Sequence, residues 1–411
     1  MRIPRTFKRW VGVLGLAAAT ALLVTACGGG DDNNGGNGGS GGGNVSDGNT
    51  ANTAVITVNS GVAQVINIPT VNVKICAPGT SNCQVVNNVL VDTASYGLRL
   101  VGSAVGVLNN LPQVTSGGAP VAECGKFVSS YTWGTVRTVD LTIGSEQAAS
   151  LPVQIIGDLG TSNVPSSCTN GGASANTARD LGANGILGIG PAPVDCGINC
   201  ATLTSATYNN YYACPNGNSS CTVALVPVAQ QVANPVHRFA TDNNGVIVQM
   251  PNISNSGQGS ATGLLTFGIG TQSNNALGAS TVLTSTSGGD VSTTFLGNNV
   301  AAFFDTGSNA YFFNDSKQTP CSLNKDFYCP ASAATYTATL TGQNGATGGV
   351  SMLVQNADTL FSNPSTFAFN DIAGPYSLTS LDLGMPHFYG KTIYFGMDKT
   401  STGGQQPYVA F

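Results

Sequence analysis

Val89-Leu90-Val91-Asp92-Thr93-Ala94-Ser95 recurs, 213 residues downstream, as Ala302-Phe303-Phe304-Asp305-Thr306-Gly307-Ser308. Each copy is an apolar run that halts at an aspartate and continues through threonine, a small residue and serine. The run reads as a strand, and the small polar residues after it read as a tight turn. A carboxylate at such a strand end sits where backbone amides and hydroxyls can hold it. The interval between the copies is a lobe's length and too long for a solenoid repeat. Two related lobes are therefore expected, each offering one carboxylate.

Two such ends facing each other bring like charges together. Carboxylates within hydrogen-bond reach cannot both ionise, so the pair titrates in two separated steps and holds one shared proton between them. The ionised member can take a proton from water while the protonated member polarises a substrate carbonyl. Hydrolysis by this route needs no metal and no organic cofactor.

The repeated pattern resembles the pepsin-like aspartic proteases. Asp305-Thr306-Gly307-Ser308 matches that family's catalytic turn, and Asp92-Thr93-Ala94-Ser95 differs from it only in carrying Ala94 where the family has glycine. Further segments follow in the family's order. Asn184-Gly185-Ile186-Leu187-Gly188-Ile189-Gly190 is similar to the segment that crosses behind the first catalytic loop, and Leu383-Gly384-Met385-Pro386-His387-Phe388-Tyr389 with Thr392-Ile393-Tyr394-Phe395 is similar to its counterpart in the second lobe. Gly263-Leu264-Leu265-Thr266-Phe267-Gly268-Ile269-Gly270 resembles the strand that opens that lobe. The resemblance implies an all-β, bilobal fold with a central cleft and few short helices, with Asp92 and Asp305 as the catalytic pair. It also implies that Thr93 and Thr306 brace the two loops, that Ser95 and Ser308 bond the outer carboxylate oxygens, and that Gly307 allows close approach. In the family a tyrosine on a hairpin covers the cleft. Tyr131, in Ser130-Tyr131-Thr132-Trp133-Gly134-Thr135, is the candidate for this flap, with Trp133 second. A methyl at position 94 is expected to disfavour close backbone approach or a positive φ there.

Residues 54–58, 85–91, 138–143 and 246–250 are short, β-branched runs bounded by turn formers, and they read as strands. Helical periodicity is confined to short stretches near 221–232 and 370–381. The class is all-β, with an unrelated β-sandwich as the alternative. Charged residues make up 8% of the 411-residue chain and the formal net charge is −5, against about 25% charged residues in an average domain. No basic surface for phosphates is expected, which excludes nucleic acid as a partner. His237 and His387, the two histidines, lie beside prolines without the companions of a catalytic triad and are expected to be structural.

The N-terminus carries Arg2, Arg5, Lys8 and Arg9, an apolar run from Trp10 to Val24, and Val24-Thr25-Ala26-Cys27. This reads as a secretory signal ending in a lipobox, with Cys27 the lipidation site (palmitate among the chains) and the mature N-terminus. The competing reading, a membrane span, needs about 20 apolar residues. Lipid on Cys27 would hold the protein on a membrane, each buried CH₂ contributing about 0.8 kcal/mol. Gly28 in place of an aspartate points to the outer membrane, on its periplasmic or outer face. Residues 28–52 read as a Gly/Asn/Ser tether, 53–255 as the lobe carrying Asp92 and 256–411 as the lobe carrying Asp305. Ten further cysteines in an exported chain point to disulfides. Short loops pair Cys76 with Cys83 and Cys321 with Cys329, while Cys124, Cys168, Cys196, Cys200, Cys214 and Cys221 are left unassigned. The last four are also drawable as a zinc set, but their spacing is irregular.

The expected function is that of a monomeric, membrane-tethered aspartic endopeptidase acting on peptide or protein substrates. The alternative, supported by Ala94, is a catalytically silent module of the same fold that binds peptide or glycan. A structural envelope protein is the third reading.

Overall fold

The computed structural model describes residues 52–127, 130–376 and 380–411. The basic leader, Cys27 and tether residues 28–51 lie outside the described residues. The apolar runs fold as their alternation and β-branching demand. Thr53–Val58, Cys83–Asp92, Ser130–Ile143 and Gly245–Gln249 are strands that contain, or nearly contain, the stretches read from sequence. Among the described residues the longest α-helix is Ile198–Thr202.

The two expected helical stretches are corrected. Residues 221–232 form the short strand Thr222–Val223, paired with Tyr211–Ala213, and the 3-10 turn Val228–Gln230. In the other, Ala373–Gly374 and Ser380–Gly384 are strands, because their backbones pair with Tyr311–Phe312 and Asn298–Asp305. Ladder hydrogen bonds to distant strands outweigh local helical propensity there.

Three layers of pairing organise the chain. A base sheet joins strands from both halves of the sequence: Thr53–Val58 pairs with Ala261–Phe267, which pairs with Gly245–Gln249, then Thr392–Gly396, Tyr408–Ala410 and Val282–Thr284. Thr57 and Val58 also meet Thr70 and Pro69, which carries the base into the first lobe. There Pro69–Cys76 pairs with Cys83–Asp92, and the long hairpin of Ser130–Ile143 with Glu146–Ile156 covers it. The second lobe is a separate seven-stranded sheet around Asn298–Asp305.

Both lobes repeat one local plan. The strand ending in an aspartate turns and returns, and a downstream strand inserts between the two arms. Gly185–Ile189 runs parallel to Cys83–Asp92, with Gly188 opposite Asp92, and antiparallel to the return strand Tyr96–Val101. Ser380–Gly384 runs parallel to Asn298–Asp305, with Gly384 opposite Asp305, and Asp382 lies opposite Phe312 of the return strand Tyr311–Phe312. The inserted strand passes so close to the turn that a Cβ on Gly384 would lie 2.0 Å from the Ala310 carbonyl oxygen. Flanked on both sides, the last four residues of each aspartate strand are buried on both faces, which is why those runs are continuously apolar. The architecture is the bilobal, all-β, pepsin-like one.

Asn67 pins the lobes together. Its side chain donates to the carbonyls of Asn309 and Phe369 and accepts from the Phe369 amide and the Tyr389 hydroxyl, all at 2.8–2.9 Å. Five disulfides tie the loops: Cys76–Cys83 and Cys321–Cys329 as expected, and Cys124–Cys168, Cys196–Cys200 and Cys214–Cys221. The last two consume the four thiols of the zinc alternative.

Candidate functional site

The two aspartate turns meet at the junction of the lobes. Thr93 and Thr306 interlock: the amide of Thr93 donates to Thr306 Oγ1 at 3.2 Å, and the amide of Thr306 donates to Thr93 Oγ1 at 3.0 Å. Each hydroxyl then donates across to the other lobe, Thr93 to the Phe304 carbonyl at 2.9 Å and Thr306 to the Val91 carbonyl at 2.7 Å. Four buried hydrogen bonds with near two-fold symmetry fix one turn against the other.

That lock brings the carboxyl groups of Asp92 and Asp305 together on one side of Gly307, where a Cβ would lie 2.8 Å from Asp92 Oδ2 and 3.1 Å from Asp305 Oδ1. They are 1% and 3% exposed. Each inner oxygen receives the amide two residues on: Ala94 N–H reaches Asp92 Oδ1 and Gly307 N–H reaches Asp305 Oδ1, both at 2.9 Å. Asp92 is pushed well above the usual carboxylate range, first by burial, then by the negative Asp305 and the hydrogen bond with it; the Ala94 amide and Ser95 oppose the rise. A group so placed keeps its proton where ordinary carboxylates have lost theirs, as one shared proton requires.

The serines differ. Ser308 Oγ lies 3.0 Å from Asp305 Oδ2 and 2.7 Å from Asp382 Oδ2. Ser95 Oγ is buried and makes no well-formed hydrogen bond, although it lies near enough to Asp92 to favour the charged form. The small residues differ too. A Cβ on Gly307 would sit 2.8 Å from Asp92 Cγ, so glycine is obligatory there. Ala94 is half-buried, stays out of the left-handed region and keeps the same amide bond as Gly307. Its methyl leaves the carboxylate in place.

The flap candidates are corrected. Tyr131 and Trp133 are core residues, packed with Ala122, Cys124, Cys168, Tyr212 and Cys214. Trp133 donates its indole N–H to Asn218 Oδ1 at 3.0 Å and stacks edge-on to Tyr212. The side chains point into a disulfide-lined pocket of the first lobe because alternation along Ser130–Ile143 sends 131 and 133 to one face.

Both histidines are held by packing. His237 Nε2 meets the Pro191 carbonyl at 2.9 Å, and His387 is buried against Phe304 and Tyr311, with burial and Lys391 holding it neutral. Cys321, Cys329 and Asp358 converge as a metal site would. The cysteines are bonded to each other, and Asp358 already accepts from Ser322, Leu323 and Asn324. These residues do not fit a cation.

The family model described as "Protein of unknown function (DUF3443)" matches residues 48–411, a span that takes in both aspartate turns and both inserted strands. The chain belongs to that family. No curated protein matches the DUF3443 chain. Among solved structures it is similar to the crystal structure of an aspartic proteinase from Irpex lacteus, at 14% sequence identity and a TM-score of 0.44, over 87% of this chain and 97% of that one. Sequence reasoning missed Asp382. No motif marks it, and only the register that sets Asp382 beside Phe303 brings it to the site.

Proposed function

We propose that this chain is an aspartic endopeptidase, and that Asp92 and Asp305 activate one water molecule. The observation that carries the reading is the approach of the two carboxyl groups beside Gly307, closed by the threonine lock. The pair titrates as a unit. Each aspartate accepts one turn amide, but Asp305 also accepts from Ser308 while Ser95 makes no such bond to Asp92, so in the resting state the shared proton belongs nearer Asp92.

Asp305 then takes a proton from water as its oxygen bonds to the peptide carbonyl carbon, and Asp92 gives its proton to the carbonyl oxygen. The proton gained by Asp305 passes to the amide nitrogen as the C–N bond breaks, and collapse of the diol returns a proton to Asp92. The carboxyls end as they began, and no covalent intermediate forms.

We further propose export and lipid attachment at Cys27, with residues 28–51 as the tether and a monomer presenting its cleft to peptide or unfolded protein in the periplasm or at the cell surface. The basic leader, apolar run and lipobox support this part. No described helix is long and apolar enough to cross a membrane.

The test is cleavage of an unstructured protein from acid to neutral pH by the full chain and by Asp305→Ala. Cleavage by the parent alone is expected. Equal cleavage by both refutes the mechanism, and absence of both cleavage and statine-type mimic binding in the parent identifies the silent module instead.

A further inference from the structure

The second lobe places a third carboxyl group one hydroxyl away from the pair. Asp382 is fully buried, and its Oδ2 lies 2.7 Å from Ser308 Oγ, which also lies 3.0 Å from Asp305 Oδ2. The first lobe has no equivalent. The residue two before Gly188 is Ile186, paired with Leu90 as Asp382 is paired with Phe303, and Ile186 sits in an apolar cluster. A fully buried aspartate where the internal repeat carries isoleucine is costly unless its charge or proton is used.

Counting hydrogens gives the consequence. A serine hydroxyl has one hydrogen to donate, yet Ser308 stands between two carboxyl oxygens. If Asp382 is protonated it donates to Ser308, which donates to Asp305 and stabilises Asp305 as the anion. If Asp382 is ionised it draws the serine hydrogen to itself, so Asp305 loses a donor, faces a buried anion and takes up the shared proton. We infer that Asp382 is a positioning residue which, through Ser308, decides which member of the Asp92–Asp305 pair holds the shared proton. The inference rests on the reading of those two residues as a proton-sharing pair.

Other ionisable groups lie on the surrounding elements. Asp305 comes from the neighbouring strand, Tyr311 from the return strand and His387 from the turn after Gly384, with Lys391 beyond it. Asp371 lies by Tyr311, and Tyr376 packs on Phe312. His387 is held neutral and Tyr311 is driven up by burial and by Asp371, so neither supplies the charge that would replace Asp382 in this role.

The experiment follows the aspartate carboxyl carbons by ¹³C NMR in the full-length chain, for the parent and for Asp382→Asn, alongside the pH dependence of kcat/KM. An amide at 382 mimics the protonated acid and leaves Ser308 free to donate to Asp305 at every pH. Loss of the pair's shared proton is expected to move to lower pH by about one unit, the size of a neighbouring like charge, and the basic limb of activity is expected to move with it. Superimposable carboxyl titrations overturn the inference, since a merely structural Asp382 would alter stability without moving them. Should Asp382→Asn not fold, Ser308→Ala serves: removing the donor is expected to raise that step, and no movement overturns the inference equally. A shifted titration without cleavage by the parent leaves the inference standing while the peptidase reading falls. Cleavage with an unmoved titration does the reverse.

Discussion

Thr93 and Thr306 each accept the other's backbone N–H and each donate to the carbonyl that precedes the other lobe's aspartate. The contact joins residues 213 apart in the chain, and it places two aspartates where their proton inventory becomes common property. Thr306→Val leaves the Thr93 amide without its acceptor and the Val91 carbonyl without its donor. With each of the two buried orphans costing about 1–3 kcal/mol, a loss of roughly 2–6 kcal/mol in denaturant unfolding is expected. The double variant Thr93→Val/Thr306→Val orphans all four backbone groups, so its cost should be close to the sum of the two singles. A cost well below the sum would mean that one hydroxyl already depends on the other.

The small residues of the two turns should respond oppositely. Ala94→Gly removes a half-buried methyl and is expected to cost only about 0.5–1 kcal/mol through backbone entropy, with the pair's titration preserved. Gly307→Ala drives a methyl to 2.8 Å from Asp92 Cγ, and loss of the coupled titration is expected. Carboxyl NMR of the two variants checks both.

Trp133 serves as core, so its variants should separate stability from substrate handling. Trp133→Ala is expected to lose about 3–5 kcal/mol. Trp133→Phe keeps most of the packing, forfeits the bond to Asn218, and should leave KM for a peptide within about twofold, since a buried ring has no substrate to release. A large KM change in a stably folded Trp133→Phe would return the residue to the cleft.

A second acid pair sets part of the pH dependence of stability. Glu146 is 7% exposed and is pushed up to about 7 by burial first and then by Asp242, with which it shares a hydrogen bond. An acid whose folded pKa is raised binds more protons folded than unfolded. Its stabilisation is therefore complete below about 4.5 and is lost as pH rises towards 7. Asp92, also raised, acts in the same sense. His237 and His387, lowered by burial, act oppositely over part of this window, so it is the stability of the parent relative to Glu146→Gln, read from thermal melts at constant ionic strength, that should fall between those limits. An unchanged slope in that variant would assign the effect elsewhere.

How much of this was legible without coordinates follows from the range of the interactions. Each aspartate turn is local: an apolar strand, an acid and three small polar residues encode their own conformation, so Asp92 and Asp305 could be singled out, and their repetition implied the two lobes. Cys76–Cys83 and Cys321–Cys329 close loops short enough to be read. Asp382 was invisible because it meets Ser308, 74 residues away in the chain, only through the parallel register of Ser380–Gly384 with Asn298–Asp305. Tyr131 and Trp133 were misplaced because distance along the chain locates a hairpin but not which face turns inward. Residues 370–381 lost their expected helix to ladder bonds whose partners begin near Ala301 and Tyr311.

Neutron diffraction from a deuterated crystal at mildly acidic pH tests the central claim most directly, because it locates the hydrogens between the two carboxyl groups. One deuteron between Asp92 and Asp305, with Ser308 donating to Asp305, is the predicted map. Two bare carboxylates, or side chains turned apart with separate partners, would contradict it.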